Sequence, residues 1–166
     1  HGHLEKLANL MHNYAFEEFA LGEKDAELKF TEYGASGLSS FKGLSEKQFY
    51  NDEIYDTSVK NKYMVKVSSL DVYLQKHPQH QNIILKVDTQ GFELEVLKGS
   101  KAAFKSGKIK AVIIEVMTIE KYKGSALYMQ IFDYLHFFGF KLFDLHLAAY
   151  EIDGSISEFD CVFVKD

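Results

Sequence analysis

The chain has 166 residues, about the size of one soluble domain, and 46% of them are hydrophobic and 14% aromatic. This composition excludes a disordered chain, because disordered segments contain few aromatic and branched apolar residues. The net charge is −5 and every basic residue is a lysine, which argues against a nucleic-acid partner, since such proteins usually present a basic surface that often carries arginine.

Two further classes are excluded by simple counts. No apolar run approaches the roughly 20 residues that a membrane-spanning helix requires. The single cysteine, Cys161, allows neither an intrachain disulfide nor a cysteine-rich zinc site, and we assign no metal ligand. Because no secretory segment is visible, a cytoplasmic location is the default expectation.

The first part of the chain predicts few regular elements. Residues 4–12 carry apolar side chains at helical spacing, and residues 14–21 suggest a strand. Residues 26–33 alternate between apolar and polar side chains, which predicts a half-buried strand. Residues 34–62 begin with a polar stretch rich in glycine and serine, and we predict a long loop there.

From residue 64 onwards, apolar runs alternate with helical stripes. Strands are predicted at 64–67, 83–88, 111–116, 140–145 and 161–164, and helices at 70–74, 92–107 and 127–138. Strands and helices that alternate every 25–30 residues or so are typical of βαβ units. We therefore predict an α/β fold with a mostly parallel sheet, whose last two strands pair antiparallel.

Two of the apolar strands end in acidic residues. Asp88 ends the first run and is followed by Thr-Gln-Gly-Phe-Glu, and Glu115 ends the second. Because ligands of open α/β sheets bind outside the carboxyl ends of the strands, both acids are expected at one rim. They could act as a general base, bind an acceptor hydroxyl or hold a hard cation. An equally weighted alternative is that they cap the N-termini of helices.

The segment from Lys86 to Glu93 (KVDTQGFE), followed by LEVLKG, resembles the FkbM-type methyltransferase family, in which a lysine, an apolar residue and an aspartate precede a Glu/Gln-Gly pair and a second glutamate. Weaker matches flank it in the same order. These are ALG at 20–22, VSSLD at 67–71, IIE at 113–115, GF at 139–140 and FDCVF at 159–163.

The resemblance implies a Rossmann-like methyltransferase sheet with a late antiparallel strand, and S-adenosylmethionine as cofactor. The activity it implies is O-methyl transfer to a hydroxyl of a small molecule or sugar. Carried over by position, Asp88 would lie near both the donor sulfonium and the acceptor, with Glu115 at the end of the next strand. Gln90 and Glu93 would line the same rim as substrate-side residues. Ala20 and Leu21 would lie near the adenine.

The N-terminal part of the family pattern has no counterpart that we can assign. In the family, a strand, a glycine-rich turn and a strand ending in a ribose-binding acid come first. Residues 1–3 (HGH) resemble the remnant of a purification tag, so we expect residues 4–166 to form a single, partial domain without those strands. Exposed strand edges would then favour a homodimer, and we expect no catalysis from this chain alone.

Two rival functions remain open. The first is a non-catalytic α/β interaction module derived from a methyltransferase. The second is an enzyme in which Asp88 and Glu115 hold a metal ion. Binding of the cofactor would separate the first rival from a methyltransferase, and a metal-dependent thermal shift would identify the second.

Overall fold

A computed structural model describes residues 15–46, 55–151 and 153–165. Its strands are β1 (Ala20–Leu21), β2 (Ala26–Tyr33), β3 (Val59–Ser68), β4 (Ile83–Val87), β5 (Ile109–Met117), β6 (Lys141–Tyr150) and β7 (Ile156–Val164). Its helices are α1 (Leu70–Lys76), α2 (Glu93–Lys98), α3 (Lys101–Lys105) and α4 (Tyr128–Phe137), with a short 3₁₀ turn at Ser36–Leu38. The predicted tag remnant and the predicted helix over residues 4–12 lie outside the described residues.

The first sheet has the strand order β1-β3-β2. Strand β1 runs parallel to β3, and β2 runs antiparallel to it. The alternating strand is confirmed, but the strand predicted over residues 14–21 is regular only at its last two residues. The long loop predicted over 34–62 is wrong at its end, because β3 already begins at Val59. The first half of β3 is exposed on both faces, so its sequence shows no apolar alternation.

The second sheet has the strand order β4-β5-β7-β6. Strands β4 and β5 are parallel, while β7 is antiparallel to both of its neighbours, β5 and β6. The predicted parallel pair and the predicted final antiparallel pair are therefore confirmed. A mostly parallel sheet is wrong for the described residues, where three of the five strand pairings are antiparallel. Periodicity identifies strands but does not reveal which strands pair, or in which direction.

The helix predicted over 92–107 is two helices, α2 and α3, that meet at Gly99. A β-carbon on Gly99 would lie 1.9 Å from the carbonyl oxygen of Gly22, so the chain passes close to the end of β1 at this point. The second helix is capped from elsewhere: the Asp71 carboxylate accepts from the N–H groups of Ala102 and Ala103 at 2.7 and 2.9 Å. This contact fixes α1 against the start of α3.

The core fills the side of the second sheet that faces the helices. Buried residues of β5 and β7 face α4, whose Phe132 ring lies 5.1 Å from that of Phe163. The helix ends as predicted at Gly139, which has a φ of +84°. The core thus holds β4 and β5 rigidly side by side, and their carboxyl ends carry the candidate site.

Candidate active site

The parallel pairing of β4 and β5 brings the two predicted acids together. Val87 lies opposite Ile114, so Asp88 and Glu115, the next residues along each strand, project at the same end of the sheet. The side chain of Gln90 joins them: its Nε2 donates to Asp88 Oδ1 and to Glu115 Oε2, both at 3.0 Å. The structure thus brings together three of the residues predicted from the sequence.

Gln90 is held in an unusual backbone conformation. Its φ of +52° lies in the left-handed region, where residues other than glycine are uncommon. Its carbonyl accepts from the Ser40 hydroxyl at 2.6 Å, and its Oε1 accepts from the Tyr122 hydroxyl at 2.8 Å. Every polar atom of the amide side chain is therefore bonded, which orients Gln90 between the two carboxylates.

Glu93 has a different place from the one predicted. Its side chain is buried beneath the loop, with Oε1 accepting from the N–H groups of Thr89 and Gly91 and from the Thr89 hydroxyl, at 3.0–3.1 Å. Burial raises its pKa. The assignment of Glu93 to the open rim is therefore wrong, because its carboxylate is used to hold the loop that carries Gln90.

The electrostatics of the site centre on Glu115. Burial raises its pKa to about 7, and the nearby carboxylates of Glu158, Asp88, Asp160 and Glu93 contribute in the same direction. Asp160 lies directly opposite Glu115 on β7. A carboxylate with a pKa near neutral is suited to accept a proton at physiological pH, because both of its protonation states are populated there.

Asp88 is the more open of the two acids. Its side chain is 45% exposed and forms an ion pair with Lys86 Nζ at 3.0 Å. Neither acid is the N-terminal cap of a helix in this structure: Phe92 occupies the N-cap position of α2, and Glu115 lies within β5. The capping alternative is therefore wrong for both residues, and Asp88 remains available to a ligand at the rim.

A hollow of about 300 Å³ opens beside Gln90. Tyr55 and Tyr150 contribute aromatic side chains to its lining. Lys121 lines it too and is itself buried, with Nζ 3.0 Å from a carboxylate oxygen of Glu158. Gln90 is the member of its network that lines this hollow, whereas Asp88 and Glu115 do not line it. Aromatic faces beside polar groups provide surfaces for both the carbon skeleton and the hydroxyls of a polar ligand.

Ala20 and Leu21 lie in β1 rather than in the Gln90 network. Both are half-buried, and Leu21 packs against the main core. A separate hollow of about 380 Å³ adjoins this strand, with Phe19, Val67 and Tyr73 among its lining residues. Neither Ala20 nor Leu21 lines this hollow, which their neighbour Phe19 reaches.

Sequence reasoning missed Tyr122 and Ser40, which complete the Gln90 network. Both occur in segments without a motif, and both reach the site only through tertiary packing. The Tyr122 side chain lies against Gly91, where an added β-carbon would come within 2.8 Å of the Tyr122 β-carbon and 2.9 Å of its ring. Gly91 is therefore the one position in the sequence that indicates close packing of another group against this loop.

Two features are absent from the part of the chain that the structure describes. No group of three or more His, Cys, Asp or Glu side chains among the described residues is arranged to hold a metal ion. In the same part of the chain, no helix is both long and apolar enough to cross a bilayer.

The comparison with known families agrees with the geometry. Residues 3–142 match the family described as the methyltransferase FkbM domain, a range that contains β1 to β5, Asp88, Gln90, Glu115 and Tyr122. Neither a curated protein nor a solved structure matches the chain. Because the family match covers most of the sequence, the chain belongs to the FkbM methyltransferase family.

Proposed function

We propose, against the expectation from the sequence that this chain alone is inactive, that the protein is an S-adenosylmethionine-dependent O-methyltransferase that acts on a hydroxyl of a small molecule or sugar. The observation that carries the proposal is the Gln90 network, which holds Glu115, with its pKa of about 7, beside the open carboxylate of Asp88. Residues 4–166 would act as one domain, and the two sheets would be parts of one Rossmann-like arrangement.

The charge of the site fits the cofactor. S-adenosylmethionine carries a positive sulfonium, and Asp88 and Glu115 provide negative charge at the rim. Asp88 would face the sulfonium, while Ala20 and Leu21 in β1 would flank the adenine. When bound, the cofactor supplies an electrophilic methyl group.

The protein's own residues would then position and deprotonate the acceptor. In the hollow beside Gln90, Tyr55 and Tyr150 would contact the carbon skeleton of the acceptor. The hydroxyl to be methylated would donate to Glu115, which takes its proton as general base. Gln90 keeps the carboxylate in place, so that in-line positioning provides most of the rate enhancement.

Calorimetric titration tests the cofactor assignment directly. S-adenosylhomocysteine is expected to bind with near-micromolar affinity, and S-adenosylmethionine should bind more tightly because only the latter carries the charge that Asp88 attracts. The variant Asp88→Asn should reduce this preference about fivefold, the equivalent of roughly 1 kcal/mol.

The matched control is Asp133→Asn, since Asp133 is an exposed acid on α4. It should leave both affinities unchanged. If neither compound binds the folded protein, the non-catalytic interaction module becomes the better hypothesis. If both bind and Asp88→Asn affects them equally, the placement of Asp88 near the sulfonium is wrong. With binding established, transfer of a labelled methyl group to a panel of sugars and polyols identifies the acceptor.

A further inference from the structure

The outer strand of the second sheet carries an unusual number of exposed apolar side chains. Strand β6 lies at the end of the sheet, and its outer edge is paired with none of the described strands. Leu142, Phe143, Leu145 and Leu147 are 46%, 73%, 42% and 51% exposed. A contiguous apolar surface of this kind on a sheet edge marks a site of association.

The reason for this exposure is that α4 stops short of β6. Leu145 and Leu147 lie opposite Cys161 and Phe159 of β7, and therefore share the face on which those two residues are buried. The helix covers that face over β7 but leaves a groove of about 430 Å³ between itself and β6. The groove is bounded by Met129, Phe132 and Leu142 among others.

The polar residues of β6 alternate with these leucines and bear a carboxylate and an imidazole. Asp144 and His146 lie on the other face, with His146 Nε2 3.0 Å from Asp144 Oδ2 and opposite Asp160 of β7. The N–H of Leu145 donates to Asp144 Oδ1 at 2.8 Å. The Asp144 side chain therefore supplies the acceptor that a neighbouring strand could otherwise provide. Register shifts against β7 flank the stretch from Asp144 to Leu147, which is itself regular.

Charged residues usually protect an edge strand from pairing, but this edge is complementary to itself. In an antiparallel pair centred on Leu145, Asp144 lies opposite the partner subunit's His146, and His146 opposite the partner subunit's Asp144. Leu145 then meets its own copy, and Phe143 meets the partner subunit's Leu147. A shift of one residue removes both Asp–His pairs. A register shift of two residues would put Asp144 or His146 opposite its own copy. A parallel in-register pair would do the same.

We propose that β6 is a homodimer interface in which two copies pair antiparallel about a two-fold axis at Leu145. The symmetry is that of an isologous dimer, since each residue pair occurs twice. Two paired strands bury little surface by themselves, and a specific interface buries roughly 1,000 Å² or more. The exposed side chains of Phe143, Leu145 and Leu147 supply additional apolar surface in each subunit.

Sedimentation equilibrium over a range of concentrations tests the proposal. A species of twice the 19.0 kDa chain mass is expected, which dissociates on dilution. Asp144→Lys should raise the dissociation constant at least tenfold, whereas Glu23→Lys, the same charge change in an exposed turn, should not. The double variant Asp144→His with His146→Asp restores both Asp–His pairs and should return the constant to within about threefold of the original.

A second measurement guards against variants that misfold. Deuterium exchange at β6 amides should slow as the protein concentration rises, while exchange at β2 should not change. A monomer at every concentration would overturn the proposal. A dimer that Asp144→Lys leaves unaffected would place the interface elsewhere. A folded double variant that stays dissociated would show that the register is wrong.

Discussion

The carboxylate of Glu115 accepts a hydrogen bond from the Gln90 amide at 3.0 Å, in surroundings that raise its pKa to about 7. Burial favours the neutral acid, while the amide N–H favours the charged form. Gln90 therefore fixes the direction of the carboxylate that accepts from it. In the proposed mechanism, this near-neutral pKa is what would let Glu115 act as a base.

Replacing Glu115 by glutamine should abolish proton transfer but keep the shape of the site. With the acceptor identified by the methyl-transfer screen, we expect the rate to fall about 10²- to 10⁴-fold, the range typical of a lost general base. The affinity for S-adenosylhomocysteine should not change. Asp133→Asn serves again as the control, and a Glu115→Gln protein that transfers methyl groups at the parent rate would remove Glu115 from the mechanism.

The same residue makes stability depend on pH. Between pH 4.5 and about 7 the folded protein holds a proton on Glu115 that the unfolded chain has released, so this group's contribution to stability falls as the pH rises. We expect Glu115→Gln to raise the melting temperature at pH 8 by a few degrees and to have little effect at pH 4. Thermal denaturation at the two pH values measures this difference. An equal shift at both would mean that Glu115 is not perturbed by burial.

Two substitutions of Gln90 distinguish the strain of its backbone from the effect of its side chain. Both Gln90→Ala and Gln90→Gly remove the donor to Glu115, so each should raise the pKa of Glu115 above its present value of about 7. Only glycine relieves the positive φ, so Gln90→Gly should be more stable than Gln90→Ala by about 1 kcal/mol. Carbon-13 NMR titration of the Glu115 carboxyl and chemical denaturation measure the two effects. Equal stability of the two variants would show that the conformation carries no strain.

The sequence was a good guide where a strong apolar run coincided with a motif. Both β4 and β5 were predicted with their parallel pairing, and so was the meeting of Asp88 with Glu115, because the ends of parallel strands necessarily share a rim. The pairing of β6 with β7 followed from their proximity near the end of the chain.

Other features depend on tertiary contacts, which a local sequence pattern does not reveal. The first half of β3 is exposed on both faces, so its polar residues resembled a loop until its partner β2 was known. The motif glutamate Glu93 appeared to belong to the rim, but its role is set by three donors in the loop above it. Tyr122 reaches the site from about 30 residues further along the chain, a separation at which spacing carries no information.

Gly99, the last residue of the LEVLKG segment, gives the sharpest test of the packing that supports the site. A β-carbon there would lie 1.9 Å from the carbonyl oxygen of Gly22 and 3.1 Å from the β-carbon of Ser69, and the first of these contacts involves backbone that cannot move aside. We expect Gly99→Ala to destabilise the protein by more than about 3 kcal/mol, by separating β1 from the junction of α2 and α3.

Gly37→Ala is the matched control, since a β-carbon at Gly37 meets nothing within 4 Å. This substitution should change the free energy of unfolding by less than about 0.5 kcal/mol. Denaturant unfolding of the two variants decides the matter: if Gly99→Ala is as stable as Gly37→Ala, the close approach of Gly22 to Gly99 does not exist in the folded protein, and the position of β1 beside the site would have to be revised.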